Sequence, residues 1–210
     1  MRKKWWFPVA YMFVVTAFFS SIVIGFAQFT GDRVEANADL AFEKAVLAVL
    51  PGLLEEGESR LEIHRKFVER VGPPDEQIGG ACRLTEAGRT VAYALPVEGQ
   101  GFWAPIKGVI GLKDDRRTIT GIAFYEQNET PGLGAQITTI TFTSQFQGKV
   151  LASGDKPLNI RPPGAPLGES DVHAVTGATQ TSTRLEKILN DALTQWYAKL
   201  AKISDASSTQ

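Results

Sequence analysis

Cysteine is almost absent from this chain: Cys82 stands alone among 210 residues. No internal disulfide can form, so the fold must be held by its core. One thiol and two histidines, His64 and His173, far apart in sequence, also fall short of an iron–sulfur or zinc ligand set. No metal site is expected, and Cys82 reads as a buried, unreactive thiol. A basic excess is missing too, with 22 Lys and Arg against 23 Asp and Glu and a net charge of -1. Arg2, Lys3 and Lys4 crowd the N-terminus, so the remainder of the chain is net acidic. That distribution argues against nucleic acid as a partner, which would need a clustered basic surface. Gly132-x-Gly134 lacks the third glycine of a dinucleotide loop, and Gly177-Ala178 lacks the lysine and hydroxyl of a P-loop. Neither histidine adjoins a serine or cysteine in a hydrolase motif. There is no internal repeat, and no residue is assigned a catalytic role.

Charge is also absent from Trp5 to Thr30. At about 1.5 Å per residue, such a stretch crosses a hydrocarbon core of about 30 Å as a helix. Pro8 falls in its first turn, where a missing donor costs little, and Trp5 and Trp6 stand where an aromatic belt would lie. Three basic residues precede the span, whereas Asp32, Glu35 and Asp39 against Arg33 follow it. The positive-inside bias places the N-terminus in the cytoplasm and the remainder outside. Gly25-Phe26-Ala27 offers a competing reading as a signal-peptide cleavage site, although the uncharged stretch is long for one. Both readings export the domain. The expected organisation is a cytoplasmic tip and anchor over 1–30, one domain over 31–205 and a disordered tail over 206–210.

A content of 43% apolar and 21% charged residues describes a foldable chain, with length for one ordinary domain. Residues 37–50 predict a helix with Phe42, Val46, Val49 and Leu50 on one face, stopped by Pro51-Gly52. A second helix is expected across 60–71, broken at Gly72-Pro73-Pro74. Val91, Tyr93 and Leu95 alternate in a strand over 89–95, and further strands are expected at 106–112, 118–125 and 137–143. Residues 152–170, rich in proline and glycine, read as a wandering surface connection. The clearest helix is 183–203, where Leu185, Ile188, Leu189, Ala192, Trp196, Leu200 and Ile203 recur at helical spacing behind a Thr183/Glu186 capping box. The fold class is α+β: an antiparallel or mixed sheet flanked by helices, with one N-terminal transmembrane helix.

Immediately before that helix lies Asp171-Val172-His173-Ala174-Val175-Thr176-Gly177-Ala178-Thr179-Gln180-Thr181-Ser182. Small residues at 177 and 178 permit close backbone approach, and free N–H groups at a helix start favour an anion such as phosphate. The alternative is a plain N-cap, since serine and threonine gather there in any protein.

The segment resembles the flavinylation signature of the FMN-binding domain family, found in the C subunit of the sodium-translocating NADH:quinone reductase and the G subunit of the Rnf complex. The match rests on Asp171 and on Thr176-Gly177-Ala178-Thr179, followed by Thr181 and Ser182. Two further segments are similar to that family: Glu129-Thr130-Pro131-Gly132-Leu133-Gly134-Ala135, and Gly99-Gln100-Gly101-Phe102-Trp103 with Pro105 and Gly108. Where several relatives carry a histidine two positions before the glutamate, this chain has Gln127. The resemblance implies FMN esterified through its phosphate to Thr179, placed there by a flavin transferase that uses FAD and recognises Asp171 in part. It also implies a bacterial inner-membrane protein, single-pass, that transfers electrons among integral membrane subunits of an ion-translocating complex. A stand-alone flavinylated carrier and a non-catalytic assembly module are the competing readings.

Within that reading, Phe102 and Trp103 are either walls for the flavin or ordinary core. Thr130 and the 132–134 backbone are either hydrogen-bond donors to it or a rigid turn. Trp196 and Tyr125 read as core. Lys107 either bears on the charge of the reduced flavin or is solvated, and His173 lies near the attachment site with a surface role expected.

Overall fold

In the computed structural model, which describes residues 6–55 and 57–207, helix α1 runs over Trp6–Val49. Its stretch Trp6–Gly31 is long and apolar enough to cross a membrane, and large side chains such as Phe13, Phe18 and Phe29 are exposed along it. The basic residues at positions 2–4, the first residues of the expected tip, lie outside the described residues. The chain divides into two units, one ending at Asp39 and the other beginning at Leu40.

In the second unit the end of α1 buries Val46, Leu47 and Val49, and Leu50 just after it is buried too. Pro51-Gly52 ends the helix as expected, with Gly52 at φ +70°, and Thr120 donates to the Val49 carbonyl at 2.5 Å. Helix α2 (Arg60–Arg70) starts at a capping box in which Ser59 and Glu62 each bond the other's backbone N–H. It buries Ile63 and Phe67 beside α1.

The sheet is antiparallel, in the order β1 (Cys82–Glu86), β2 (Arg89–Gln100), β3 (Pro105–Lys113), β4 (Ile119–Glu126). Side-chain alternation sorts its two faces. Ala92, Ala94 and Val109 join Cys82, Leu84, α1 and α2 in one core, where burial pushes the Cys82 thiol up to about 12. Tyr93, Leu95, Val97, Ile106 and Ile110 join the other core, against Leu185, Ile188, Leu189, Leu193 and Trp196 of helix α4 (Thr179–Ser207). Trp196, 1% exposed, donates its indole N–H to the Ile78 carbonyl at 2.8 Å and meets Tyr93 edge-on. Trp196 is core, as expected, and Tyr125 packs edge-on against Phe42.

Three expectations need correction. Residues 137–143 form no strand: a 3-10 turn (Gly134–Thr138) leads into the short helix α3 (Ile140–Thr143). In a strand Ile140 and Phe142 would share a face, but Phe142 is 3% exposed and Ile140 79%. Burial instead follows Ile137, Phe142 and Phe146, steps of five and four residues that no strand alternation produces. Secondly, the connection over 152–170 is not wholly irregular, because β5 (Asn159–Arg161) pairs in parallel with β6 (Asp171–His173). The buried Asn190 amide of α4 bonds both backbone groups of Leu158, at 2.9 and 2.8 Å, and Glu186 accepts from the Ile160 N–H. Thirdly, α4 begins at Thr179, four residues before the expected start, so the Thr183/Glu186 box does not form. It continues to Ser207, into the segment expected as tail, of which residues 208–210 lie outside the described residues.

Helix α4 packs tightly against the sheet at Gly99, where an added Cβ would stand 2.6 Å from Ile188 Cγ1. Gly99→Ala is expected to destabilise the domain by about 1–3 kcal/mol through overpacking. Chemical denaturation checks this, and the loss should shrink in an Ile188→Ala background, which removes the clashing atom.

Candidate functional site

Three segments converge at one end of the sheet: the β2–β3 turn around Gly101–Ala104, the loop after β4, and the first turn of α4. Between them lies an open cleft of about 220 Å³. Phe102 borders it from the first segment, and Glu129, Thr130, Leu133 and Gly134 from the second. Gly177, Ala178, Thr179, Gln180 and Thr181 border it from the third. A larger groove of about 730 Å³ runs along α4 beside Gly79, Glu98 and Gly99, away from these hydroxyls.

The buried carboxylate of Glu129 joins all three segments. Its Oε1 accepts the N–H groups of Phe102 at 2.7 Å and Trp103 at 3.2 Å, while its Oε2 accepts the Thr181 hydroxyl at 2.7 Å. Gln127 accepts the Glu129 N–H at 2.7 Å and so orders this loop. Thr130 accepts the Trp103 indole N–H at 3.0 Å, and its carbonyl accepts the N–H groups of Leu133 and Ala135. Thr130 is thus part of a turn, completed by Gly132 at φ +76°. Phe102 and Trp103 pack edge-to-face at 4.9 Å but are 42% and 65% exposed, so they are not core.

The start of α4 presents Thr179 outward. Gly177 takes φ +78°, and the Ala178 N–H bonds the Val175 carbonyl, turning the chain into the helix. The Ser182 N–H bonds back to the Ala178 carbonyl at 2.9 Å, and among the described residues the preceding amides of the first turn are left for an outside acceptor. Thr179 is exposed and, among the described residues, its hydroxyl has no hydrogen-bond partner, whereas Thr181 is buried against Glu129.

Not every anticipated residue reaches the cleft. Ser182 turns inward to accept the Val175 N–H at 3.2 Å. Thr176 is exposed, and neither it, Gly132 nor Trp103 lines the cavity. Lys107 pairs with Glu126 at 3.0 Å on the neighbouring strand, which raises its pKa. His173 bonds the Ala165 carbonyl through Nε2 at 2.9 Å. Asp171 is buried: Oδ2 accepts the Gly168 N–H at 2.9 Å and faces Arg161, while Oδ1 accepts the Asn159 amide. Those bonds, the Gly168 N–H foremost, hold its pKa below the usual carboxylate range. Two residues outside the three motifs' expected contacts also belong here. Gln180 lines the cleft, and the Arg184 guanidinium sits 6.0 Å from the Phe102 ring centre. Their only signal in the sequence is a place in the first turns of α4.

A family model described as FMN-binding domain matches residues 101–194. The C subunit of the Na(+)-translocating NADH-quinone reductase of Vibrio vulnificus (strain YJ016) is 36% identical over 111 residues, covering 51% of this chain and 44% of that protein. Its counterpart in Haemophilus ducreyi is 31% identical over 173 residues, covering 80% of this chain and 62% of that protein. The chain therefore spans less than two thirds of the length of these relatives. Among solved structures, the C subunit of the same reductase from Parabacteroides distasonis superposes with a TM-score of 0.66 at 24% identity, covering 79% of this chain and 94% of that one. NqrC of Shewanella oneidensis gives 0.65 at 19% identity, covering 80% and 99%. The fold is shared with both.

Asp171 has a lower pKa folded than its unfolded value of about 3.9. Its ionised form therefore stabilises the fold above that value, and the contribution is lost as pH falls through the folded pKa. The stability difference between wild type and Asp171→Asn, followed by urea unfolding, is expected to be full at neutral pH and to shrink below about pH 4.

Proposed function

We propose that this chain, whose residues 101–194 match the family model described as FMN-binding domain, is a member of that family and carries FMN as a phosphoester on Thr179. In this reading it is the electron-transferring subunit of a membrane complex of the sodium-translocating NADH:quinone reductase type. The names its relatives bear favour that complex over the Rnf type. Trp6–Gly31 is read as the single membrane anchor, with the domain outside the cytoplasmic membrane and integral membrane subunits as its partners.

The observation that carries the reading is the outward-facing Thr179 hydroxyl at the first residue of a long helix, on the rim of the cleft. The local chemistry fits the group. A phosphoester there lies beside the unpaired first-turn amides, which offset its negative charge. Phe102 and Leu133, both partly exposed, offer apolar surface to a flat ring. Gly177, where an added Cβ would come within 3.2 Å of Leu133, keeps the backbone close and the rim open. When bound, FMN supplies a ring that accepts and returns electrons. The chain supplies the tether, the counter-charge and one-sided cover, leaving the ring open to a partner. Asp171 serves a flavin transferase, in this account, through the shape of the β5–β6 loop that it fastens, since its carboxylate is buried.

Intact mass checks the proposal, on full-length protein purified from a host that co-expresses a flavin transferase. One added FMN residue is expected in the wild type and none in Thr179→Ala. No added mass beside an active transferase would return the chain to the class of assembly modules.

A further inference from the structure

We infer that Glu129 is a positioning residue: its buried carboxylate fixes the Phe102–Trp103 turn to the first turn of α4 and so sets the spacing of the cleft's two walls. The purpose of that spacing rests on the FMN reading above, whereas the clamp is a property of the chain itself.

Glu129 is 4% exposed, and no cation lies within ion-pair distance of it among the described residues. A carboxylate buried without a counter-charge is tolerable only when its oxygens are satisfied by donors. Here the donors come from two distant segments, the Phe102 and Trp103 amides on Oε1 and the Thr181 hydroxyl on Oε2. Charge-assisted bonds of this kind are the stronger class and hold geometry. Two glycines make room for it. A Cβ at Gly101 would stand 2.5 Å from Oε1, and one at Gly134 2.8 Å from Oε2.

The aromatic pair has little else to hold it. Phe102 and Trp103 are exposed; among the described residues their turn is closed by one backbone bond, from the Gly101 N–H to the Ala104 carbonyl at 2.9 Å, and the Arg184 guanidinium stands 6.0 Å from the Phe102 ring centre. The Trp103 indole adds one bond, to Thr130. Thr181 lies two residues beyond Thr179 on α4, so Oε1 fixes the aromatic wall and Oε2 fixes the turn that bears the attachment hydroxyl. With so little of the carboxylate exposed, its influence passes through the groups it holds.

The test compares wild type, Glu129→Gln and Glu129→Ala as full chains in detergent micelles. Amide exchange of Phe102 and Trp103 is measured first on protein without flavin, which makes this arm independent of whether Thr179 is modified. In Glu129→Ala these amides are expected to exchange about tenfold faster or more, having lost a charged acceptor. Glu129→Gln should stay near wild type, since its carbonyl still accepts both amides while its NH2 donates to the Thr181 oxygen. On loaded protein the alanine variant should show brighter flavin fluorescence from a displaced Trp103, and the glutamine variant should not. Unchanged exchange in Glu129→Ala would overturn the clamp. So would unchanged exchange in both variants together with an equal shift in FMN midpoint potential, which would mark direct action of the charge on the flavin. If the alanine variant does not fold, Thr181→Val tests the same link: a several-fold rise in exchange at Phe102 and Trp103 is expected, and no rise overturns it.

Discussion

Helix α4 lies against the sheet with almost no clearance, and the position of nearly everything functional follows from that contact. Gly99 leaves no room for a side chain beneath Ile188, and Gly79 leaves none beside Trp196, where an added Cβ would fall 2.9 Å from the ring. A close-packed interior has one way to satisfy both contacts at once. The helix is therefore fixed along its length and in its rotation. Thr179 at its first residue inherits that fixity, since a helical residue has a set direction once its helix is placed. Farther along, Asn190 and Glu186 hold the backbone of residues 158–160, so the same helix also orders the glycine- and proline-rich connection that leads back to the motif.

Two buried carboxylates then fix the segments that lead into α4 and that meet it. Asp171 closes the loop before the motif by accepting the Gly168 and Asn159 donors, and Glu129 gathers the glycine–aromatic turn and the start of α4. Burying such groups is costly unless every lone pair is well used, so each marks a place where local geometry is over-determined. Around the cleft stand exposed residues that the core does not need, namely Thr179, Phe102, Trp103 and Leu133. Rigid support beneath and free surface above is the arrangement expected of a binding rim.

Much of this was legible in the residues, and what escaped did so for physical reasons. The three longest strands and α2 declared themselves by period and by breakers, although β2 runs five residues past its expected end. Cys82–Glu86 escaped because a short edge strand with Arg83, Thr85 and Glu86 outward carries little apolar pattern. Residues 137–143 misled because β-branched residues imitate a strand wherever they cluster, while tertiary packing chose a turn and a helix. Three-residue strands such as β5 and β6 carry almost no local signal, and Asn190 and Glu186 hold the backbone of residues 158–160 from α4. At the site, family resemblance gathered the segments, but composition could not say that Glu129 faces inward. A glutamate amid Pro131, Gly132 and Gly134 reads as a solvated loop residue until its three donors are seen.

Neither hydrophobic core contains the Thr179, Phe102 or Trp103 side chain, and both are closed without them. Such a domain can reach its finished shape before any group is attached at the cleft, with the Thr179 hydroxyl already at the surface. On the proposed reading, folding and loading are thereby separable in time. A maturing enzyme would meet a completed fold instead of a nascent chain, and an unloaded copy would persist as a stable reserve.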